Sequence, residues 1–342
     1  MKNSRLLVLG AAILLTFTGC AAQNLAEQEN SYNNGTAFSV VNWNVQTFFD
    51  GTKDGVEYSD FQKAGNWNNE KYTARLERLC QAITQLDADI YIFEEIENEA
   101  VIYDISNQLS ADGHNWNQRK FWNYSVFAKQ EGTAIGIGIL SRYPLSGAVT
   151  HAMDIRLFTT KQPSVRPILE VNVSIEQTNL IILANHWKSK SGGEENTEIW
   201  RDWQESTLAN RLIELKEQHG GKLPPVLICG DFNRDVYDFI CSRDTILLRS
   251  KGLAPEQNIN VNSLWLNKSG QLVTKTGSYY YDGQWERIDN IMLGGKIECL
   301  EFKPLANQPW ATQEGLPFAY RLYSGEGWSD HLPIQARLVL TE

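Results

Sequence analysis

Cationic charge is what this 342-residue sequence lacks most plainly: 31 Lys and Arg stand against 41 Asp and Glu, a formal net charge of −10. Such a surface lacks the basic field of a protein that coats nucleic acid passively, so any phosphate recognition must be local. Cysteine and histidine number five each, and no CxxC or Cys/His array occurs, which excludes the zinc-module class. Proline is scarce at 10, and no internal repeat or low-complexity linker divides residues 38–342, so this stretch reads as one large domain. Long apolar runs are confined to residues 6–17, too short to span a bilayer comfortably. What is abundant is aromatic, with 11 Trp, 13 Tyr and 13 Phe, alongside 25 Gly, a composition that suits many strands joined by tight turns.

Lys2 and Arg5 precede the apolar run, and Thr18-Gly19 supply small residues ahead of Cys20. The pattern resembles a bacterial lipoprotein signal, with Phe17 where that motif usually carries Leu. The resemblance implies removal of residues 1–19, acylation of Cys20, and a polar tether over 20–37 that holds the domain at a lipid bilayer, extracytoplasmic in the bacterial cell envelope. A cleaved secretory signal with an incidental cysteine is the plainer alternative. Either way Lys2 and Arg5 leave, and the remaining chain is more acidic still. Cys80 and Cys229 sit in apolar patterns that predict buried small side chains, and the spacing of the four cysteines after Cys20 favours no pairing.

Residues 38–45 alternate and are rich in strand formers, predicting a strand that delivers Asn44 and Gln46 to its end. Helical spacing of Leu76, Leu79, Cys80, Ile83 and Leu86 predicts a helix over 70–86, and a buried strand from Ile90 then ends in Glu94-Glu95. Strands over 134–140, 168–175, 180–184 and 225–229 follow, the last two ending at Asn185-His186 and at Asp231-Phe232-Asn233. A helix over about 197–218 carries Trp200, Leu208, Leu212 and Leu215 on one face. Asp289 stands in an apolar stretch, and Ser329-Asp330-His331 precede a closing strand over 332–340. Any one of these polar strand ends is a common turn former. Their repetition points to a site gathered along one sheet rim.

Seven strings carry a resemblance: VVNWNVQ, DIYIFEEIEN, GIGILSRYPL, LIILANHWKSK, VLICGDFNRD, RIDNIML and SDHLPI, in this order through residues 38–342. Together they resemble the endonuclease/exonuclease/phosphatase superfamily in its deoxyribonuclease-I-like branch. That implies an α/β fold, a four-layer sandwich of two packed mixed β-sheets flanked by helices, and metal-dependent hydrolysis of phosphate esters. It implies Asn44, Glu95 and Asp330 around a divalent cation, Mg²⁺ or Mn²⁺ with Ca²⁺ as an alternative, consistent with hard oxygen donors. It implies Asp231 as the activator of water, Asn233 in contact with the scissile phosphate, and His331 as base or phosphate contact, paired with Asp289. His186 corresponds to the general acid, and Glu94, where many relatives have Gln, to a support for the metal-binding Glu95. Lys188, Arg201, Asn98 and Tyr280 are candidate substrate contacts. The chemistry fits the cast, because a phosphodiester repels hydroxide and its hydrolysis needs a cation and two proton-handling groups. His114, His151 and His219 lie in polar stretches and read as surface residues.

The substrate stays open. NHWKSK (185–190) resembles the histidine motif of secreted bacterial nucleases, and Gln46, Glu94 and His186 favour a phosphodiesterase over an abasic-site repair enzyme. The leading expectation is a surface-anchored, monomeric, non-specific nuclease acting on DNA. A sphingomyelinase-like phospholipase C or a phosphoinositide or sugar phosphatase is the alternative, with Trp310 or Trp328 lining a membrane-facing surface. A non-catalytic binding module that kept the fold is the third reading.

Overall fold

The computed structural model describes residues 35–111, 121–155, 160–251 and 257–341. The signal segment, Cys20, most of the tether and His114 lie outside the described residues. Thr36–Thr341 form a compact unit. Its chain order begins β1 (Ala37–Phe48), α1 (Ser59–Lys63), α2 (Asn69–Leu86), β2 (Ile90–Ile96), α3 (Glu99–Ala111), β3 (Tyr124–Ala128), β4 (Gly136–Ser141) and β5 (Leu145–His151). It continues with β6 (Ile168–Ile175), β7 (Thr178–His186), α4 (Glu194–Gln218), β8 (Val226–Asp231), β9 (Ile240–Ser242), β10 (Thr245–Arg249) and β11 (Asn258–Ser263). The ribbon β12 (Tyr279–Tyr281) and β13 (Gln284–Glu286) precedes β14 (Asp289–Gly294), β15 (Ile297–Pro304) and β16 (Ile334–Leu340).

Two sheets result, ordered β15-β16-β1-β2-β4-β3 and β5-β6-β7-β8-β14-β11-β10-β9. Each is antiparallel except for one central parallel pair, β1 with β2 and β7 with β8. The mixed two-sheet sandwich read from the sequence is thus the observed fold. Period-two alternation assigns the faces. On β1, Phe38 and Val40 pack between the sheets, while Val41, Trp43 and Val45 face outward onto α2 and α3 through Leu76, Leu79, Ile83, Val101 and Ile105. On the second sheet, Leu208, Leu212 and Leu215 of α4 join the cluster formed by β7 and β8. Cys80 and Cys229 are both buried. α2 begins at Asn68, whose side chain accepts the Lys71 amide, and ends where Asp87 turns into the left-handed region at φ 51°.

Continuing the alternation along β1 is what aims the chemistry. Asn42 and Asn44 share the inward face of Phe38 and Val40, and Glu94 of β2 likewise follows Ile90 and Ile92 inward. The apolar core therefore hands over to polar groups only at the strand ends. Trp310 is 1% exposed and lies edge-on to Trp43, while Trp328 stacks on Trp43 with ring centroids 6.4 Å apart. Both pack on the outward face of the first sheet, so Trp310 is structural, while Trp328 is only partly buried.

His151 also departs from expectation. Its Nε2 lies 2.7 Å from Glu170, whose carboxylate accepts two further bonds from Arg211 at 2.6 and 2.9 Å, tying β5, β6 and α4 together. Burial alone would raise the Glu170 pKa, but the bonds from Arg211 and His151 outweigh it and hold it down at about 2 against a usual 4.5. The carboxylate is thus favoured in the fold, and its contribution to stability is complete above about pH 4.5 and disappears as the pH falls through about 2. Breaking a buried ion pair costs ~3–5 kcal/mol, and less where one partner reaches solvent as Arg211 does. Glu170→Gln should lower unfolding stability by about 2 kcal/mol at pH 7, with the gap from wild type closing on acidification below pH 4.5. Equal urea midpoints at pH 7 would show the cluster to be energetically idle.

Candidate active site

The two parallel pairs set the site. β1 and β2 run side by side with Asn44 opposite Glu94, and β7 and β8 with His186 opposite Asp231, which is in turn opposite Asp289 on β14. The β7–β8 ends are unusually close at Asn185 and Gly230. A Cβ on Gly230 would stand 1.9 Å from the Asn185 carbonyl oxygen, and its φ is 140°, so glycine is required there. Trp187 then seals the corner, donating from its indole to Asn185 at 3.0 Å and packing edge-on to Phe232.

Glu95 escapes the alternation that buries Glu94. The β1–β2 register shifts between Asn44 and Phe48, and Glu95 adopts φ 66°, so its carboxylate turns to the rim, where it accepts the Thr47 amide and the Asn44 side-chain amide. The same Asn44 nitrogen donates to Asp231 Oδ2 at 3.0 Å, joining the two sheets. Asp231 Oδ1 accepts the Asn233 amide at 2.8 Å. The last motif is pinned onto β1: Ser329 Oγ donates to the Asn44 carbonyl at 2.6 Å, the His331 amide donates to Ser329 Oγ, and the Trp43 indole donates to the His331 carbonyl. Gln46 positions Asp330 by accepting its amide at 3.1 Å and that of Tyr320 at 2.7 Å.

The two histidines are in opposite electrostatic states. His331 Nδ1–H donates to Asp289 Oδ2 at 2.7 Å. Burial opposes the charged ring, but Asp289, with Asp330 and Asp231 beyond it, overcomes that and holds its pKa well above the ordinary imidazole range. His186 is driven well below that range, first by burial and then by Arg166 and His331. Its Nε2 lies 3.7 Å from Asp231 and 4.0 Å from Glu95. Burial pushes Asp231 upward, followed by the charge of Asp289, and pushes Glu95 upward, followed by Asp330.

Two clefts of about 680 and 560 Å³ meet at Glu95, His186 and Asp330. Asp231, Asn233 and His331 line the second cleft and Lys188 the first. Asn44 and Asp289 are buried just behind, holding Asp231 and His331. Four expected positions fall elsewhere. Glu94 is fully buried beneath the rim, bonded by Asn42 at 3.3 Å, and its pKa is pushed well upward by burial and by Asp289 and Asp231. Arg201 is equally buried. It carries the Lys188 carbonyl at 3.1 Å and pairs with Glu198, so it shapes the loop after β7 and does not face substrate. Asn98 caps α3 by accepting the Val101 amide and donates to Asp50. Tyr280 turns away from the cleft and packs on Trp285, while Tyr279 and Tyr281 face it.

Arg166 was missed by sequence reasoning. Its guanidinium donates to the carbonyls of His186, at 3.2 Å, and Trp187, and it lines the first cleft. The signal was available in the β6–β7 hairpin: Leu169 pairs with Ala184, and extending that register puts Arg166 opposite Trp187.

Oxygen donors suited to a hard divalent cation are present at the junction of the clefts, where burial and then the charge of Asp330 raise the cost of ionising Glu95. Asn44 directs its amide nitrogen at Glu95 and Asp231 and gives its oxygen to the Gln46 amide, so it serves the carboxylates as a donor. Asp231, Asp289 and His331 also bring ligand atoms within 4.8 Å of one another, and Asp289 Oδ1 is a buried oxygen with no hydrogen-bond partner.

A model of the endonuclease/exonuclease/phosphatase family matches residues 39–338. TDP2 from C. elegans is similar in structure at a TM-score of 0.57 and 15% identity, over 95% of this chain and 82% of that one. ANGEL2, a 2',3'-cyclic phosphatase in complex with adenosine-2',3'-vanadate, gives 0.57 and 15% over 91% and 98%. D. rerio TDP2 complexed with single strand DNA product gives 0.53 and 13% over 89% and 99%. At these identities the likeness is one of fold. No curated protein sequence matches significantly.

The contrast between the histidines is directly measurable. In chelator, NMR titration should show the His331 transition well above the usual imidazole range and the His186 transition well below it. Asp289→Asn should bring the His331 transition down, and an unmoved transition would remove Asp289 as its cause.

Proposed function

The chain belongs to the endonuclease/exonuclease/phosphatase family, and from that premise we propose that it is a divalent-metal-dependent phosphodiesterase acting on DNA, held at the outside of a bacterial membrane by a lipid on Cys20. The observation that carries the reading is the convergence on one rim of Glu95, Asp330, His186, Asp231, Asn233 and the Asp289-held His331. Glu95 and Asp330 would hold the cation, which when bound supplies neutralisation of the phosphate charge. Asp231, fixed at one oxygen by Asn233 and at the other by Asn44, orients the attacking water. His331, with Nδ1 occupied by Asp289, keeps Nε2 for the cleft, and His186 Nε2 lies beside Asp231 and Glu95. The two rings supply the two proton positions that hydrolysis needs.

DNA is favoured over small phosphate esters by shape. Two clefts that meet at the reaction centre make a groove open in two directions, suited to a chain that passes through. Arg166 and Lys188 give one arm the local cations that the acidic surface as a whole lacks. D. rerio TDP2, of the same fold, has been captured with a single-strand DNA product. A membrane substrate has less support, because the ribbon β12–β13 beside the cleft turns through the polar pair Asp282 and Gly283.

Plasmid DNA should be nicked and degraded by the full chain with Mg²⁺ and left intact with chelator. His186→Ala and His331→Ala should each lower the rate by roughly 10²–10⁴-fold. Intact plasmid at high enzyme, with phosphocholine released from sphingomyelin or phosphate from inositol phosphates, would replace DNA as the substrate.

A further inference from the structure

The ribbon β12–β13 forms one wall of the second cleft, and its two faces differ in kind. Tyr279 and Tyr281, two residues apart, project to the cleft with ring planes 9° from parallel and centroids 6.3 Å apart. Tyr280 and Trp285 face the other way and pack on each other. Tyr281 is 64% exposed, a large apolar area to leave in water beside a reaction centre. The wall abuts the chemistry directly, since the Tyr279 ring lies 4.8 Å from the His331 imidazole. A group attached to a phosphate held at His331 therefore lands on these rings.

Charge decides which kind of group. The arm walled by the tyrosines contains Glu194 and Glu286, and Lys190 is locked between them at 2.9 and 2.8 Å. It offers a further phosphate no cation free of a carboxylate partner, whereas the Arg166 and Lys188 side chains in the other arm are bonded only to backbone carbonyls and a hydroxyl. A flat, uncharged, polarisable surface is needed to cover the tyrosines, and the ribbon's polar turn at Asp282-Gly283 does not suit insertion into lipid. We propose that Tyr279 and Tyr281 form a stacking platform for the nucleobase next to the scissile phosphate, so that the enzyme takes single-stranded or frayed DNA in preference to intact duplex. The phosphate-rich remainder of the strand runs along the Arg166–Lys188 arm. In a duplex the same base is already stacked on its neighbours and must be withdrawn before the tyrosines can engage it. This assignment rests on the phosphodiesterase reading above and adds to it the identity of the group recognised.

Tyr281 is the residue to change, because it is exposed and makes no contact with the histidine. With a short fluorescent oligothymidylate and Mg²⁺, Tyr281→Ala should raise KM about ten-fold and leave kcat within about two-fold. Tyr281→Phe and Tyr281→Trp should restore KM, since stacking needs the ring and not the hydroxyl. An oligonucleotide made abasic beside the cleaved bond should show no difference between wild type and Tyr281→Ala. Cleavage of DNA with equal KM in wild type and Tyr281→Ala would overturn the platform and leave the phosphodiesterase reading intact. Sphingomyelin vesicles hydrolysed by wild type but no longer bound by Tyr281→Ala would assign the wall to lipid and overturn it too. Failure of wild type to cleave any oligonucleotide would overturn both readings together.

Discussion

A hydrogen bond from the Asn44 side chain to Asp231 joins two sheets that would otherwise present carboxylates to each other across a rim. The same nitrogen also donates to Glu95. Around it, Glu94, Glu95, Asp231, Asp289 and Asp330 all lie near one point, and burial makes the ionisation of Glu94, Glu95 and Asp231 harder. The protein meets that cost in three ways. The Glu94 pKa is pushed well upward, Asp289 holds the His331 pKa up, and Glu95 and Asp231 are supplied with amide donors from Asn44, Thr47 and Asn233. What is left over faces the clefts as Glu95 and Asp330, where a divalent cation would complete the neutralisation.

The acidic balance of the chain acquires a specific meaning from this layout. Part of the negative charge is concentrated at a centre built to be completed by a cation, and local positive charge is placed in one arm by Arg166 and Lys188. A net charge of −10 weakens any contact that a polyanion makes through a few local cations, and makes it strongly dependent on salt.

Much of this was legible in the sequence because the rim is made of strand ends, and strand ends are where alternation stops. Asn44, Asp231 and His331 were placed correctly in relation to their strands, and the two-sheet sandwich followed from the family strings. The misplacements have more than one cause. Glu94 and Glu95 are neighbours, yet a register shift sends one into the core and the other to the rim. Tyr280 was chosen from a run of three tyrosines, and the pleat exposes its two neighbours to the cleft instead. Arg201 and Asn98 are polar residues near the right strings whose hydrogen bonds are spent on local backbone. Arg166 lies twenty residues before His186 and becomes its neighbour only through the hairpin register.

Backbone strain supplies an argument that is independent of motifs. Among the described residues, the left-handed region is occupied by eight residues other than glycine. Asp87 ends a helix, and Glu176 and Asp282 sit in hairpin turns, where such conformations are ordinary. Gln46, Thr47, Glu95 and Asn233 belong to the site itself, at φ between 47° and 66°. For a β-branched residue such as Thr47 this conformation is costly, on the order of 1 kcal/mol or more, and no tight turn of a hairpin demands it. The conformation of Thr47 lets its amide reach Glu95, that of Gln46 lets its side chain hold Asp330, and that of Glu95 brings its carboxylate out of the core. The strain is therefore spent on the oxygens that face the groove, which is expected of a site whose ligands must be held in place before the substrate and its cation arrive.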